Sequence, residues 1–355
     1  MITIKKNKDL TNLNGFKVPV VAKKYIEIKD KEDLKELKLK KEPFYILGKG
    51  FNTLFTSKTF KGTIVHINIK GIEVIKETQD YIYLKVGAGE DWPNLVTHCV
   101  NNNWGGIENL AYIPGSAGSA VVQNISAYGE NFQDVFYQAS VFDLNKKKEK
   151  IYTKKDCQFG YRSSVFKKEE NKIIAQIVIK LKKHPQINTN YFEKGARNIS
   201  IKEILEKDFK KPYTVKDVAQ VVTQIRKSKL PEVNKIPSIG SFFLNPFISK
   251  EKYFELKKKI PNLQWYPATK RSIYTQKEKY LVKHKKVKIA AGQLLDVAGW
   301  KGKWINNCGC YYKNASIVVT NKKATGKEVL QFTRILQKDI KNKFGIELKE
   351  EAILV

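Results

Sequence analysis

The chain has 355 residues, 42% of them hydrophobic, which is enough for two or three domains with ordinary cores. Its formal net charge is +31, but only five of the 66 basic residues are arginine (Arg162, Arg197, Arg226, Arg271 and Arg334). Nucleic-acid readers favour arginine forks, so this lysine-rich balance argues against a nucleic-acid partner and suits attraction of small anionic substrates. No window reaches the ~18 apolar residues of a membrane span, and the first residues do not read as a signal peptide. The expectation is a cytoplasmic protein with no membrane insertion. Cys99, Cys157, Cys308 and Cys310 form no C-x-x-C pair, and the four histidines are scattered, so no metal site is expected.

In chain order, Pro43-Phe44-Tyr45-Ile46-Leu47 reads as a short buried strand running into Gly48-Lys49-Gly50-Phe51-Asn52-Thr53-Leu54. The third glycine of a dinucleotide fingerprint is missing, and Leu54-Phe55-Thr56 continues as strand-like sequence. This loop therefore reads as a phosphate cradle with no helix N-terminus behind it, or as a plain strand turn. Residues 81–86 alternate as a half-buried strand does. Asp91 is placed to cap a helix with Pro93 in its first turn and Leu95, Val96, Cys99 and Val100 on one face.

The stretch 113–129, Ile-Pro-Gly-Ser-Ala-Gly-Ser-Ala-Val-Val-Gln-Asn-Ile-Ser-Ala-Tyr-Gly, reads as a long loop of small residues ending in an amide-rich turn. Glycines let a backbone approach a ligand, and successive N–H groups aimed at one point suit a pyrophosphate. Strands are expected at 135–144 and 173–181. Ser200 with Glu203, Thr214, and Thr325 with Glu328 read as helix starts. The last of these opens the longest helix, with Val329, Phe332, Ile335, Leu336, Ile340 and Phe344 facing a core and Gly345 as its stop.

Three further segments invite chemistry. Phe159-Gly160-Tyr161-Arg162 holds an arginine in an arginine-poor chain, suited to an anion or to a structural ion pair. Gly240-Ser241-Phe242-Phe243-Leu244-Asn245-Pro246 places a serine before two aromatics, in a dry pocket or a turn. The tail, Leu348 to Val355, sets acidic residues before a strand-like end.

Taken in order, these motifs resemble the UDP-N-acetylenolpyruvoylglucosamine reductases, the FAD enzymes of peptidoglycan precursor synthesis. The resemblance runs from Asn14-Gly15-Phe16 to Glu351. It implies an α+β protein: a two-subdomain FAD-binding fold of the vanillyl-alcohol-oxidase (PCMH) type plus a C-terminal α+β substrate-binding domain. The corresponding boundaries are 1–70 and 71–230 for the FAD-binding subdomains, 231–345 for the substrate domain and 346–355 for a tail returning to the first part.

The resemblance also implies a chemistry. NADPH reduces FAD, and the flavin passes hydride to the enolpyruvyl ether of UDP-N-acetylglucosamine enolpyruvate. Arg162 and Glu351 would stabilise the enol-like intermediate, and Ser241 would protonate the carbon. FAD contacts are implied at Gly48, Lys49, Gly50, Phe51, Asn52, Ile113, Pro114, Gly115, Gly118, Ser119, Asn124, Ile125 and Tyr128. Substrate contacts are implied at Tyr161, Tyr191, Lys229, Asn245 and Tyr266. A monomer is expected. The chain departs from the pattern at Gly15, Phe51, Ser126, Leu244, Gln293 and Ile353, which puts affinity in question more than reaction type. Two competing readings are an FAD oxidase of the same fold acting on another substrate, and a basic nucleic-acid-binding protein.

Overall fold

The computed structural model describes residues 2–39, 42–189, 200–267 and 286–355. Its first part is a four-stranded sheet in the order Ile4–Asp9, Val21–Ile28, Thr59–Ile67, Phe44–Leu47; the first pairing is antiparallel and the other two parallel. Period-two alternation gives this sheet two apolar faces. Ile26, Ile28, Val65 and Ile67 join the large core of the second part, while Tyr25, Leu47 and Ile64 pack with Phe55 in a smaller core.

The second part is an antiparallel sheet in the order Lys148–Thr153, Phe136–Asp143, Lys172–Lys182, Tyr81–Gly87, Ile72–Glu77. Helices Trp92–Asn101, Ala117–Gln123, Ile201–Asp208 and Val215–Lys229 contribute to its core. The helix starts follow their local chemistry. Asp91 accepts from Asn94 N at 3.0 Å, and Ser200 with Glu203 and Thr214 with Asp217 form reciprocal capping boxes. A cap of this kind contributes roughly 1 kcal/mol.

The third part combines two sheets, ordered Ser238–Ser241, Asn314–Thr320, Cys308–Tyr311, Trp304–Ile305 and Phe247–Ser249, Lys286–Ile289, Trp265–Pro267. Helices Lys250–Lys259, Ala291–Val297 and Gly326–Phe344 surround them. Its core also takes in Phe16, Val18 and Leu54 from the first part. The long helix starts hard against that part: a Cβ on Gly326 would lie 1.6 Å from the Phe55 carbonyl oxygen. The tail closes the molecule, with Ile353–Leu354 pairing in parallel with Thr53–Leu54.

Four sequence expectations need correction. Residues 113–129 are not one loop, because Ala117–Gln123 is helical, with Ser116 and Ser119 as its capping box. The strand expected from 135 begins at Phe136, after the helical turn Phe132–Val135. The strand-like reading of 54–56 ends at Leu54. Ile335, placed on the core stripe of the last helix, is 42% exposed, whereas Val329, Phe332, Leu336 and Ile340 are buried.

Candidate active site

A cleft of about 780 Å³ runs between the three parts. Residues 48–53 of the first part form one wall, residues 112–126 and the Arg162 turn a second, and Ser238, Ile239, Gly240 and Ser241 with Glu351 a third. Of the implied FAD contacts, Gly48, Lys49, Gly50, Phe51, Asn52, Ile113, Pro114, Gly115, Gly118, Ser119 and Ile125 line it.

The two glycine loops serve it differently from their sequence reading. In the second loop the N–H groups of residues 116–119 are already used, whereas those of Ile113 and Gly115 donate to no protein acceptor among the described residues. Ala117 N donates to Glu90 O (2.9 Å), Gly118 N to Ala88 O (2.8 Å), Ser116 N to Ser119 Oγ (2.9 Å) and Ser119 N to Ser116 Oγ (3.4 Å). The helix start at 116–119 therefore offers a pyrophosphate no spare donor, and any from this loop come from Ile113 and Gly115 at the cleft. Its glycine serves close packing, since a Cβ on Gly118 would lie 2.9 Å from the Ala88 Cβ. In the first loop the N–H groups of Lys49, Gly50 and Phe51 donate to no protein acceptor among the described residues. Gly50 is held at φ +70°, where a Cβ would sit 2.0 Å from Leu13 O. This loop also backs onto a helix start, against the sequence reading. A Cβ on Gly48 would lie 3.0 Å from the Oγ of Ser116, the N-cap of Ala117–Gln123. The Lys49 ammonium pairs across the cleft with Asp91. Gly15, a departure from the resembled pattern, packs tightly here: a Cβ on it would lie 2.5 Å from Ser238 O and 2.9 Å from Ile239, with the Phe51 ring next at 3.2 Å.

Arg162, Ser241 and Glu351 line the same cleft. Arg162 sits in a tight turn closed by the bridge Gly160–Ser163 and adopts φ +50°, an uncommon conformation for a residue with a side chain. Asn124 Nδ2 donates to Gly160 O (2.9 Å) and Ser164 Oγ to Val122 O (2.8 Å), anchoring that turn to the end of the helix Ala117–Gln123. The guanidinium Nε lies 3.1 Å from Glu351 Oε1. Its terminal nitrogens donate to Ser126 Oγ (2.6 Å) and Ser126 O (3.0 Å). Glu351 is carried in by the tail: its N donates to Phe242 O (2.8 Å), and Asn52 Nδ2 donates to its carbonyl (3.1 Å). Those bonds set Glu351 beside the strand that ends in Ser241. The Ser241 hydroxyl contacts Ser316 Oγ at 3.1 Å, and Ser316 Oγ in turn donates to Asn314 Oδ1 (2.8 Å).

The charges are coupled. Burial raises the Glu351 carboxyl above its usual range, opposed by Arg162, Lys167 and Lys288. Lys288, 2% exposed, is pushed down to about 8 by burial and then by Arg162, with Glu351 opposing. Burial also lowers Lys167, against the pull of Glu351. Arg226, at the same cleft, is lowered by burial and donates from Nε to Tyr112 O (3.2 Å). Cations thus outnumber carboxylates in this region, which suits an anionic ligand.

Several sequence-singled residues sit off the main cleft wall. The Asn124 amide faces inward, its Oδ1 accepting from Gln133 N (3.1 Å), so it supports the Arg162 turn rather than lining the cleft. The Tyr128 carbonyl accepts from Asn109 (2.8 Å), and its phenol contacts Arg226. Asn245 Oδ1 accepts from Ala291 N (3.0 Å) at the start of the helix Ala291–Val297. Tyr161 and Tyr266 gather around Lys288, whose Nζ lies 4.2 Å and 5.7 Å from their ring centroids; Phe247 and Tyr266 flank Lys288 in register. Lys229 ends the helix Val215–Lys229, next to the cleft residues Leu230 and Pro231. Tyr191 lies outside the described residues.

Sequence reading missed Lys288, Lys167, Arg226 and Ser316. Arg226 carried the same signal as Arg162, being one of five arginines. Lys288 carried no such signal, because in Lys286-Val287-Lys288-Ile289 it alternates with apolar residues as the outward face of a half-buried strand does.

A cleft between two α+β lobes, with spare N–H donors on a glycine loop and a third domain bringing a hydroxyl and a carboxyl to its edge, defines a flavin-dependent oxidoreductase. FAD fits the residues present: the first loop offers the N–H donors a pyrophosphate needs, and both loops line the cleft. Comparison with known proteins gives the particular family. Residues 231–355 match the family model "UDP-N-acetylenolpyruvoylglucosamine reductase, C-terminal domain", and residues 26–145 match "FAD binding domain". The UDP-N-acetylenolpyruvoylglucosamine reductase of Flavobacterium johnsoniae is 35% identical over 99% of both chains, and that of Bacteroides fragilis 32% over 97% of both. The crystal structure of the reductase from Thermus caldophilus superposes with a TM-score of 0.66 at 19% identity, covering 100% of this chain and 98% of that one. The chain belongs to the UDP-N-acetylenolpyruvoylglucosamine reductase family.

Proposed function

We infer that the chain uses NADPH and FAD to reduce UDP-N-acetylglucosamine enolpyruvate to UDP-N-acetylmuramate, in peptidoglycan precursor synthesis. The observation that carries the roles below is the meeting of Arg162, Glu351 and Ser241 at one cleft. Bound FAD supplies the hydride. Hydride addition to the terminal alkene carbon leaves negative charge on the neighbouring carbon and its carboxylate. The Arg162 guanidinium, held rigid, offsets that charge. Glu351, whose burial favours the protonated form, donates a hydrogen bond to the enolate oxygen. Ser241 delivers its proton to the carbanionic carbon, so one hydride and one proton saturate the double bond.

The buried Lys288 ammonium, between Tyr161 and Tyr266, is suited to the substrate diphosphate, and the resemblance adds Lys229 and Asn245 as its further contacts. No helix among the described residues is long and apolar enough to cross a membrane. We place the enzyme in the cytoplasm as a monomer, and sedimentation and cell fractionation test both.

The test uses the purified yellow protein. NADPH should bleach it, and the UDP-enolpyruvyl sugar should restore its colour. Ser241→Ala should bleach normally but recolour on the order of 10²–10⁴ times more slowly. A variant that recolours at the wild-type rate refutes the role of Ser241. A wild type that recolours with oxygen but not with the sugar refutes the function.

A further inference from the structure

We propose that Ser126 is a positioning residue that holds the Arg162 guanidinium in its working orientation. This rests on the functional reading above. Ser126 opens the short hairpin Ser126–Ala127 with Glu130–Asn131 and is 7% exposed. It meets Arg162 twice, with its hydroxyl accepting from one terminal nitrogen at 2.6 Å and its carbonyl from the other at 3.0 Å. Glu351 occupies the remaining nitrogen at 3.1 Å. The guanidinium is therefore gripped from two sides, by a backbone-anchored residue and by the group with which it shares the intermediate's charge.

This grip answers a specific difficulty. An arginine side chain has several soft torsions, and Arg162 projects from a turn whose backbone is itself in the left-handed region. The ion pair with Glu351 and the Tyr161 ring, 5.8 Å from the guanidinium carbon, hold its position but do not by themselves fix the plane of the fork. Two acceptors on one residue fix the plane of the fork as well as its position. Electrostatic stabilisation of a developing charge depends on such preorganisation, because a donor that must reorient during the reaction gives back much of its benefit. Ser126 thus acts through Arg162, on the step in which charge develops and not on flavin binding or flavin reduction.

The experiment compares wild type, Ser126→Ala and Ser126→Thr as holoenzymes, following the two half-reactions separately by flavin absorbance. Ser126→Ala should retain FAD and be reduced by NADPH at the wild-type rate. Its recolouring by the UDP-enolpyruvyl sugar should slow about tenfold to a hundredfold, the span expected for one hydrogen bond to a charged group, with KM little changed. Ser126→Thr, which keeps the hydroxyl, should recover most of that rate. In an Arg162→Lys background, which lacks the fork, Ser126→Ala should add little further loss. Wild-type recolouring in Ser126→Ala overturns the proposal. So does an equal defect in the alanine and threonine variants, or the same fold loss in the Arg162→Lys background. If the wild type is bleached by NADPH but not recoloured by the sugar, the functional reading falls, and the role of Ser126 with it.

Discussion

Glu351→Gln tests the electrostatic logic of the cleft most directly, because it keeps the shape of the side chain and removes its titration. In the native protein the carboxyl is largely buried, at 16% exposed, with Arg162 Nε 3.1 Å away. Burial outweighs the pull of Arg162, Lys167 and Lys288, so the protonated form is favoured relative to an exposed glutamate. Two consequences follow for the wild type. A group whose folded pKa is raised contributes stability that is complete below its unfolded pKa and is lost as pH rises through the folded value. The hydrogen-bond donor proposed to meet the intermediate disappears over the same interval, so the substrate-reducing half-reaction should slow as pH rises through the raised Glu351 pKa.

A glutamine has neither titration. Its amide is a weaker donor and sits slightly differently, so Glu351→Gln should slow the half-reaction about 10²–10³-fold, the usual cost of losing one such donor. That is roughly 3–4 kcal/mol of transition-state stabilisation. Folding stability should change by only about 1 kcal/mol, well short of the ~3–5 kcal/mol of a fully buried broken pair. Ser126 still offers two acceptors to Arg162, and the charged carboxylate was itself penalised by burial. The wild-type advantage in melting temperature should be greatest in acid and shrink as pH rises. Stopped-flow recolouring and thermal melts across pH read both effects. A glutamine variant that recolours at the wild-type rate, or that keeps the alkaline fall in rate at saturating sugar, refutes the reasoning.

Two more predictions concern binding. Lys288→Gln should raise KM for the UDP-sugar while leaving flavin reduction unaffected. In the wild type, affinity for that anionic ligand should weaken as pH rises past about 8, where the Lys288 ammonium loses its proton; titration calorimetry across pH checks this. Gly50→Ala should yield protein depleted of FAD and destabilised by more than about 2 kcal/mol, because φ +70° is unfavourable for alanine and its Cβ would meet Leu13 O at 2.0 Å. The flavin-to-protein absorbance ratio and a denaturant melt measure the two effects.

Local chemistry was legible in the chain. The caps at Asp91, Ser200, Thr214 and Thr325 depend on a side chain reaching an N–H three residues on, and all four formed as read. The strands at 81–86 and 173–181 announced themselves by their apolar pattern. The motif order from Gly48 to Glu351 already pointed to the reductases. The helix Ala117–Gln123 stayed hidden because its small residues carry no helical stripe beyond Val121.

What the tertiary structure alone decided is which polar groups are spent and which remain for a ligand. The donors of 116–119 looked available until Ala88 and Glu90 arrived from the turn after the strand Tyr81–Gly87 to take two of them. Those of Lys49, Gly50 and Phe51, the weaker motif on paper, are left over. Arg162 and Glu351 lie far apart along the chain, and it is the docking of the tail, by Ile353–Leu354 on Thr53–Leu54 and by Glu351 N on Phe242 O, that draws the carboxyl to the guanidinium. Burial sets the protonation of Glu351 and Lys288, and burial is a property of the neighbours that long-range packing supplies, not of the residue.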